Sequence, residues 1–313
     1  TGSRLLELLI IDGKGEGIMD HILRGIIPPL VTPLRLDGSI DKEGIAKLAE
    51  YQIKAGIQSV FILGSCGEGS VLERDECAEM VKESVKVTAD RVNLLVGVLE
   101  PSAERVVEAV RVYEQLGAER FVVPAPFYLS VSDQDEILRH YEYIADRVEG
   151  ELIVYNIPDY VHTHILPETA EKLLGHSKIA GIKDSTGDWA LFQKLLLEYQ
   201  GRKGILSGNE NLCGAAMLLG ADGCVPCLAN AYPGLYQKMY EAAKEKDIRE
   251  VTEYQRVILK MKDIMAVGKH WIAAVKYMCA RKGVIMPYVK GSACPLTAAE
   301  TEKMDALLEE AGL

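Results

Sequence analysis

From Gly25 onward, short runs of β-branched and aliphatic residues alternate with longer amphipathic stretches, and this cadence constrains the fold more than any other feature. The runs fall at 26–32, 59–63, 92–96, 120–124, 152–156, 179–184, 204–207 and 223–227. Most are continuously apolar rather than alternating, as strands covered on both faces must be. Between them, as in 42–54 and 104–116, apolar residues recur every three or four positions beneath a charged outer face, which predicts helices. Asp41 and Ser102 stand where a helix N-cap would sit. The pairs Ala55-Gly56, Leu116-Gly117 and Leu219-Gly220 close helices just before the next run. Eight β-then-α units in series predict an α/β fold, a (β/α)8 TIM barrel. An open doubly wound sheet is the rival. It would carry a glycine-rich dinucleotide turn after its first strand, whereas here that strand leads to Thr32-Pro33-Leu34.

The domain reading follows. Residues 1–24 read as a leader or expression remnant: the apolar run 5–11 is too short to span a bilayer, and Met19 suits a native start. Residues 25–232 hold the barrel strands and helices. Residues 233–313 hold the last barrel helix and a helical C-terminal extension, with helical patterns at 233–246, 248–266, 270–282 and 298–311 and no flexible linker before them. With 35 basic against 46 acidic residues the net charge is −11, which argues against nucleic acid or an anionic membrane as partner. Seven cysteines without a repeating frame read as reduced thiols of a cytoplasmic protein. Cys224 and Cys227 have CxxC spacing but lack the partners that a metal or redox site needs, so no metal is expected.

In such a barrel, chemistry sits where strands end. Lys183 closes the apolar run Ile179-Ala180-Gly181-Ile182, which would point its amine toward the barrel mouth. Burial disfavours an ammonium, and a neutral amine is a nucleophile. The bland alternatives are a lysine that reaches out to solvent or pairs with Asp184. Tyr155 ends the neighbouring strand and could shuttle protons; a phenol needs relay partners to do so, and Ser65 and Tyr128 offer hydroxyls on adjacent loops. The turn Gly64-Ser65-Cys66-Gly67-Glu68 carries little bulk, so its backbone N–H groups could converge on a carboxylate. A plain tight turn is the other reading.

With these segments in view, the chain resembles the dihydrodipicolinate synthase / N-acetylneuraminate lyase family of class I aldolases. The matching segments are Ile26-Ile27-Pro28-Pro29-Leu30-Val31-Thr32-Pro33, Gly64-Ser65-Cys66-Gly67-Glu68, Tyr155-Asn156-Ile157-Pro158 and Gly181-Ile182-Lys183-Asp184, in family order. The resemblance implies a lyase that makes or breaks a carbon–carbon bond between pyruvate, or another 2-oxo acid, and an aldehyde. Lys183 would be the Schiff-base lysine, Tyr155 the proton-transferring phenol and Ser65 a hydroxyl of the relay. The N–H groups of Ser65 and Cys66 would hold the carboxylate, and Val225 would pack against the pyruvate methyl. Tyr128 matches a tyrosine that reaches across a dimer interface, and the family implies a homotetramer built as a dimer of dimers. No cofactor is implied, because the iminium itself is the electron sink.

Departures point to a branch. Where the lysine-pathway synthase carries an arginine two residues after the proline of Tyr-Asn-x-Pro, this chain has Tyr160. A phenol cannot replace a bidentate guanidinium on a dicarboxylate. After the seventh strand stand Gly208, Asn209, Glu210 and Asn211, and Ser185 follows the lysine by two. Glu210, Asn211, Gly208 and Ser185 are expected to bind substrate. One acid among neutral hydrogen-bonding groups suits a polyhydroxylated chain. The sequence is most similar to aldolases for 2-keto-3-deoxy sugar acids. The alternatives are N-acetylneuraminate lyase, 4-hydroxy-tetrahydrodipicolinate synthase, a dehydratase or hydratase-aldolase, and a catalytically silent 2-oxo acid binder.

Overall fold

The computed structural model describes residues 23–89, 91–129 and 133–313. The reading of a leader therefore falls outside the described residues, apart from Leu23 and Arg24. Eight parallel strands follow one another in chain order: β1 (Gly25–Ile26), β2 (Ser59–Ile62), β3 (Asn93–Gly97), β4 (Arg120–Pro124), β5 (Glu151–Asn156), β6 (Ile179–Asp184), β7 (Gly204–Ser207) and β8 (Gly223–Cys224). The helices between them are α1 (Lys42–Lys54), α2 (Arg74–Thr88), α3 (Ala103–Gln115), α4 (Gln134–Ala145), the one-turn α5 (Pro158–Val161), α6 (Pro167–Leu174), α7 (Trp189–Tyr199) and α8 (Cys213–Leu219). The fold is a (β/α)8 barrel.

β1 pairs with β8, and the ring closes between β1 and β2 through a single parallel bridge, Pro29 to Phe61. The apolar run 26–32 predicted a longer strand. Pro28 and Pro29 lack the N–H groups that a ladder needs, so among the described residues only Leu30 N–H to Phe61 O (2.7 Å) and Phe61 N–H to Pro28 O (3.0 Å) span the join. Pro226 shortens β8 in the same way. Asn230 secures this seam: its side chain accepts from Val31 N–H (2.9 Å) and donates to the carbonyls of Pro29 and Cys227 (both 2.8 Å).

α9 (Pro233–Lys244) packs on β1 and completes the helical ring. Beyond it lie α10 (Ile248–Met265), α11 (Trp271–Arg281) and α12 (Ala298–Glu310). These form the C-terminal extension. Asp41 and Ser102 do occupy the N-cap positions of α1 and α3, and Gly56 (φ 84°) and Gly117 (φ 95°) turn the chain out of those helices in the left-handed region that glycine tolerates. The strand residues Val60, Ile62, Phe121, Ile153, Ile182 and Ile205 are all essentially inaccessible, so the core fills the barrel as well as the shell around it. Among the described residues no helix is long and apolar enough to cross a membrane.

Candidate active site

The register of the sheet sets Tyr155 on β5 directly opposite Lys183 on β6. Both are buried, and the Lys183 ammonium nitrogen lies 3.9 Å from the Tyr155 ring centroid and 4.9 Å from that of Phe61 on β2. No ion pair reaches Lys183 among the described residues. Asp184 is its neighbour in sequence but not in space, because successive strand residues point to opposite faces. The Asp184 carboxylate instead accepts from Asn156 Nδ2 (2.8 Å) and from the hydroxyl and N–H of Thr186 (2.7 and 3.2 Å), and burial raises its pKa above the usual carboxylate value. Both bland readings of Lys183 therefore fail: its amine neither reaches solvent nor pairs with Asp184.

Gly208, just past β7, has no room for a side chain. A Cβ there would collide with Ser185 Oγ and lie 3.0 Å from Lys183 Cε. The lysine stem thus runs across bare backbone, and Gly208 and Ser185 both border it.

The turn after β2 is built by close backbone approach. A Cβ on Gly69 or Gly97 would run into the Leu63 carbonyl, and one on Gly67 would sit 2.9 Å from the Leu30 carbonyl and the Leu63 nitrogen. Leu63 (φ 56°) and Glu68 (φ 58°) take left-handed backbone although neither is glycine. Thr32 donates to Gly67 O (2.6 Å) from one side. Among the described residues the N–H groups of Ser65 and Cys66 have no backbone acceptor. Two consecutive donors at the head of the barrel are thus left without a backbone partner.

Beside Ser65 and Tyr155 opens a cavity of about 420 Å³, which Lys183, Gly208 and Ser185 do not line; its walls include Phe127 and Tyr160 together with His270, Trp271 and Lys290. That size suits a small metabolite. The last three belong to α11, its N-cap and the segment before α12, so the extension forms one wall. The Trp271 indole N–H is directed at the Tyr160 hydroxyl, whose pKa burial raises. Sequence reasoning did not include His270, Trp271 or Lys290, since nothing in a local motif shows that a segment over a hundred residues after Tyr155 folds back across it.

Other expected site residues lie elsewhere. Glu210 is turned away from the cavity: its Oε1 accepts from Leu228 N–H (2.9 Å) and the Tyr236 hydroxyl (2.8 Å), and burial raises its pKa. The 3-10 turn Glu210–Leu212 swings the carboxylate toward α9 instead of the mouth. Asn211 is exposed and accepts from Lys262 Nζ (2.6 Å). Val225 is buried beside β7, its N–H donating to Ser207 O (2.8 Å). Tyr128 is 93% exposed, with φ 73°, and does not line the cavity of its own chain. Cys66 is buried with its thiol against that of Cys227, while Cys224 Sγ lies 3.7 Å from Cys213 O, so the two sulfurs of the CxxC spacing face different neighbours.

A second buried lysine was also missed. Lys276, in the apolar stretch of α11, is fully buried, forms an ion pair with Glu68 and donates to Tyr288 O (2.7 Å). Burial lowers its pKa and Glu68 opposes that shift. The sequence signal was the one that singled out Lys183, a lone lysine in an apolar run.

Residues 22–311 match the dihydrodipicolinate synthetase family. The 4-hydroxy-tetrahydrodipicolinate synthase of Hyphomonas neptunium is 31% identical over 297 residues, covering 93% of this chain and 99% of its own. The dihydrodipicolinate synthase of Bacteroides thetaiotaomicron superposes with a TM-score of 0.88 at 30% identity, covering 93% of this chain and all of its own. YagE, a prophage protein from E. coli K12 solved with pyruvate, gives a TM-score of 0.87 at 27% identity, covering 93% and 99%. The chain belongs to the dihydrodipicolinate synthetase family, and it is a lyase of the class I aldolase type that works through a lysine Schiff base.

Proposed function

We propose that Lys183 forms the Schiff base with pyruvate, and that the physiological reaction cleaves or forms a 2-keto-3-deoxy sugar acid. The observation that carries the first part is the Lys183 amine itself, held 3.9 Å above the Tyr155 ring on an aromatic floor with no anion beside it. The pyruvate complexes of YagE and of the Acinetobacter baumannii synthase support the choice of 2-oxo acid. The amine attacks the ketone carbon and water leaves, giving an iminium. In cleavage, removal of the proton from the C4 hydroxyl breaks the C3–C4 bond, and its electron pair flows into the iminium as an enamine while the aldehyde departs. Protonation of the enamine and hydrolysis release pyruvate and the free lysine. Tyr155 carries these protons, with Ser65 as relay, and the Ser65 and Cys66 N–H groups hold the carboxylate.

The second part rests on the cavity wall. Its polar groups include the hydroxyls of Ser65, Ser70, Tyr160 and Ser292, and the cation there, Lys290, is already held by Glu76 and by Gly38 O (3.1 Å). Among the described residues no arginine lines it, so a second carboxylate lacks the bidentate partner it would need, whereas sugar hydroxyls find both donors and acceptors. The relatives named 4-hydroxy-tetrahydrodipicolinate synthase favour condensation with a semialdehyde as the second reading. Pyruvate release from a panel of 2-keto-3-deoxy sugar acids, run beside pyruvate consumption with aspartate semialdehyde, separates them. Release from a sugar acid with weak semialdehyde turnover is expected; efficient semialdehyde condensation without release would overturn the substrate assignment.

A further inference from the structure

We propose that the buried Glu68–Lys276 ion pair is the positioning element of the carboxylate-binding turn, so that the C-terminal extension sets the affinity of the site for its 2-oxo acid. This rests on the reading that the Ser65 and Cys66 N–H groups hold the carboxylate. Glu68 is 3% and Lys276 0% exposed. Removing two charges from water costs several kcal/mol per ion, and such a pair is a poor source of stability compared with apolar residues of the same volume. Its use must lie in what it holds in place.

Glu68 stands three residues after Ser65 and donates its N–H to Ser65 O (3.2 Å), so the turn cannot move without it. Its left-handed backbone persists only where the surroundings over-determine it. They do so from the extension. One carboxylate oxygen takes the Lys276 ammonium, and the other accepts Lys290 N–H (2.7 Å). Lys276 is itself fixed by donating to Tyr288 O. The pair therefore ties the turn to α11 and to the segment 288–290, whose neighbours Trp271 and Lys290 also wall the cavity. Neither Glu68 nor Lys276 needs to touch substrate for this. They act through the two N–H donors.

The full chain is the material for the test. Glu68→Gln, Lys276→Met and the double variant are compared with wild type for the pyruvate concentration that half-saturates borohydride trapping, for the maximal extent of trapping, and for thermal midpoint. Both single variants should need about tenfold more pyruvate or higher, as expected when a binding group is misplaced by a fraction of an ångström, with trapping at saturation unchanged. In the double variant no charge is left unpaired, so the thermal midpoint should recover while the raised pyruvate requirement remains. A double variant that half-saturates like wild type would overturn the proposal, because the pair would then be structural only. Hydrogen exchange on wild type needs no variant: pyruvate should slow amide exchange in 64–69, α11 and 288–290 together. Protection confined to 64–69 would equally overturn it. Absence of any wild-type adduct would remove the underlying reading of the site, and the proposal with it.

Discussion

Two lysines of this chain are buried to nearly the same extent, and their neighbours assign them opposite tasks. Lys276 meets a carboxylate and a carbonyl, so its charge is held and its amine has no open side. Lys183 meets two aromatic faces and bare backbone at Gly208, the surroundings of a group that is to react. Tyr155 is the proposed proton carrier, and Tyr155→Phe should lower kcat about 10²- to 10⁴-fold, measured in the lyase direction. Near-wild-type turnover would show that another group moves the proton. Glu210 allows a prediction about pH. Burial raises its folded pKa above its ordinary value, so the folded state binds more protons than the unfolded state between the two values, and stability falls as pH rises through that window. Gln at 210 keeps an acceptor for Leu228 and Tyr236 but cannot ionise. Glu210→Gln should therefore lose less thermal stability than wild type as pH rises above the ordinary carboxylate pKa. Parallel pH profiles would contradict this.

At the level of elements, β4, β6 and β7 have the bounds that the apolar runs predict, the one proline among them, Pro124, standing at the last position of β4. β1 and β8 come out shorter, and in both a proline stands in the run: Pro28, Pro29 and Pro226 cannot donate to a ladder, and Cys227 already begins a 3-10 turn. Lys183 and Tyr155 were legible because each stands next to last in its strand, where side-chain direction follows from alternation. Glu210 and Asn211 were not, since a single 3-10 turn decides which way they face. The wall formed by His270 and Trp271 was invisible for a different reason: it depends on long-range packing that no local pattern encodes. Prolines at the seam leave few backbone bonds to close it, so Asn230→Ala should destabilise the protein by about 2 to 4 kcal/mol, through buried backbone groups left without partners. Thermal unfolding of the variant checks it, and an unchanged midpoint would show that the seam does not depend on Asn230.

For the molecule as a whole, the most exposed large apolar side chains include Tyr128 (93%) and Leu129 (80%), side by side past β4. The tetramer that the family resemblance implies would give them a place, with Tyr128 entering a partner's site. That arrangement makes a sharp prediction. Lys183→Ala and Tyr128→Phe are each expected to be impaired, yet co-assembled they should regain activity, because a site with an intact lysine receives its tyrosine from the other chain. Mixtures no more active than the sum of the parts would place Tyr128 outside the chemistry. All of this depends on one covalent bond. Borohydride reduction in the presence of pyruvate, followed by peptide mass mapping, tests it most directly: the adduct is predicted on the peptide that carries Lys183, and to vanish in Lys183→Ala. An adduct on Lys276 or any other lysine, or none at all, would contradict it.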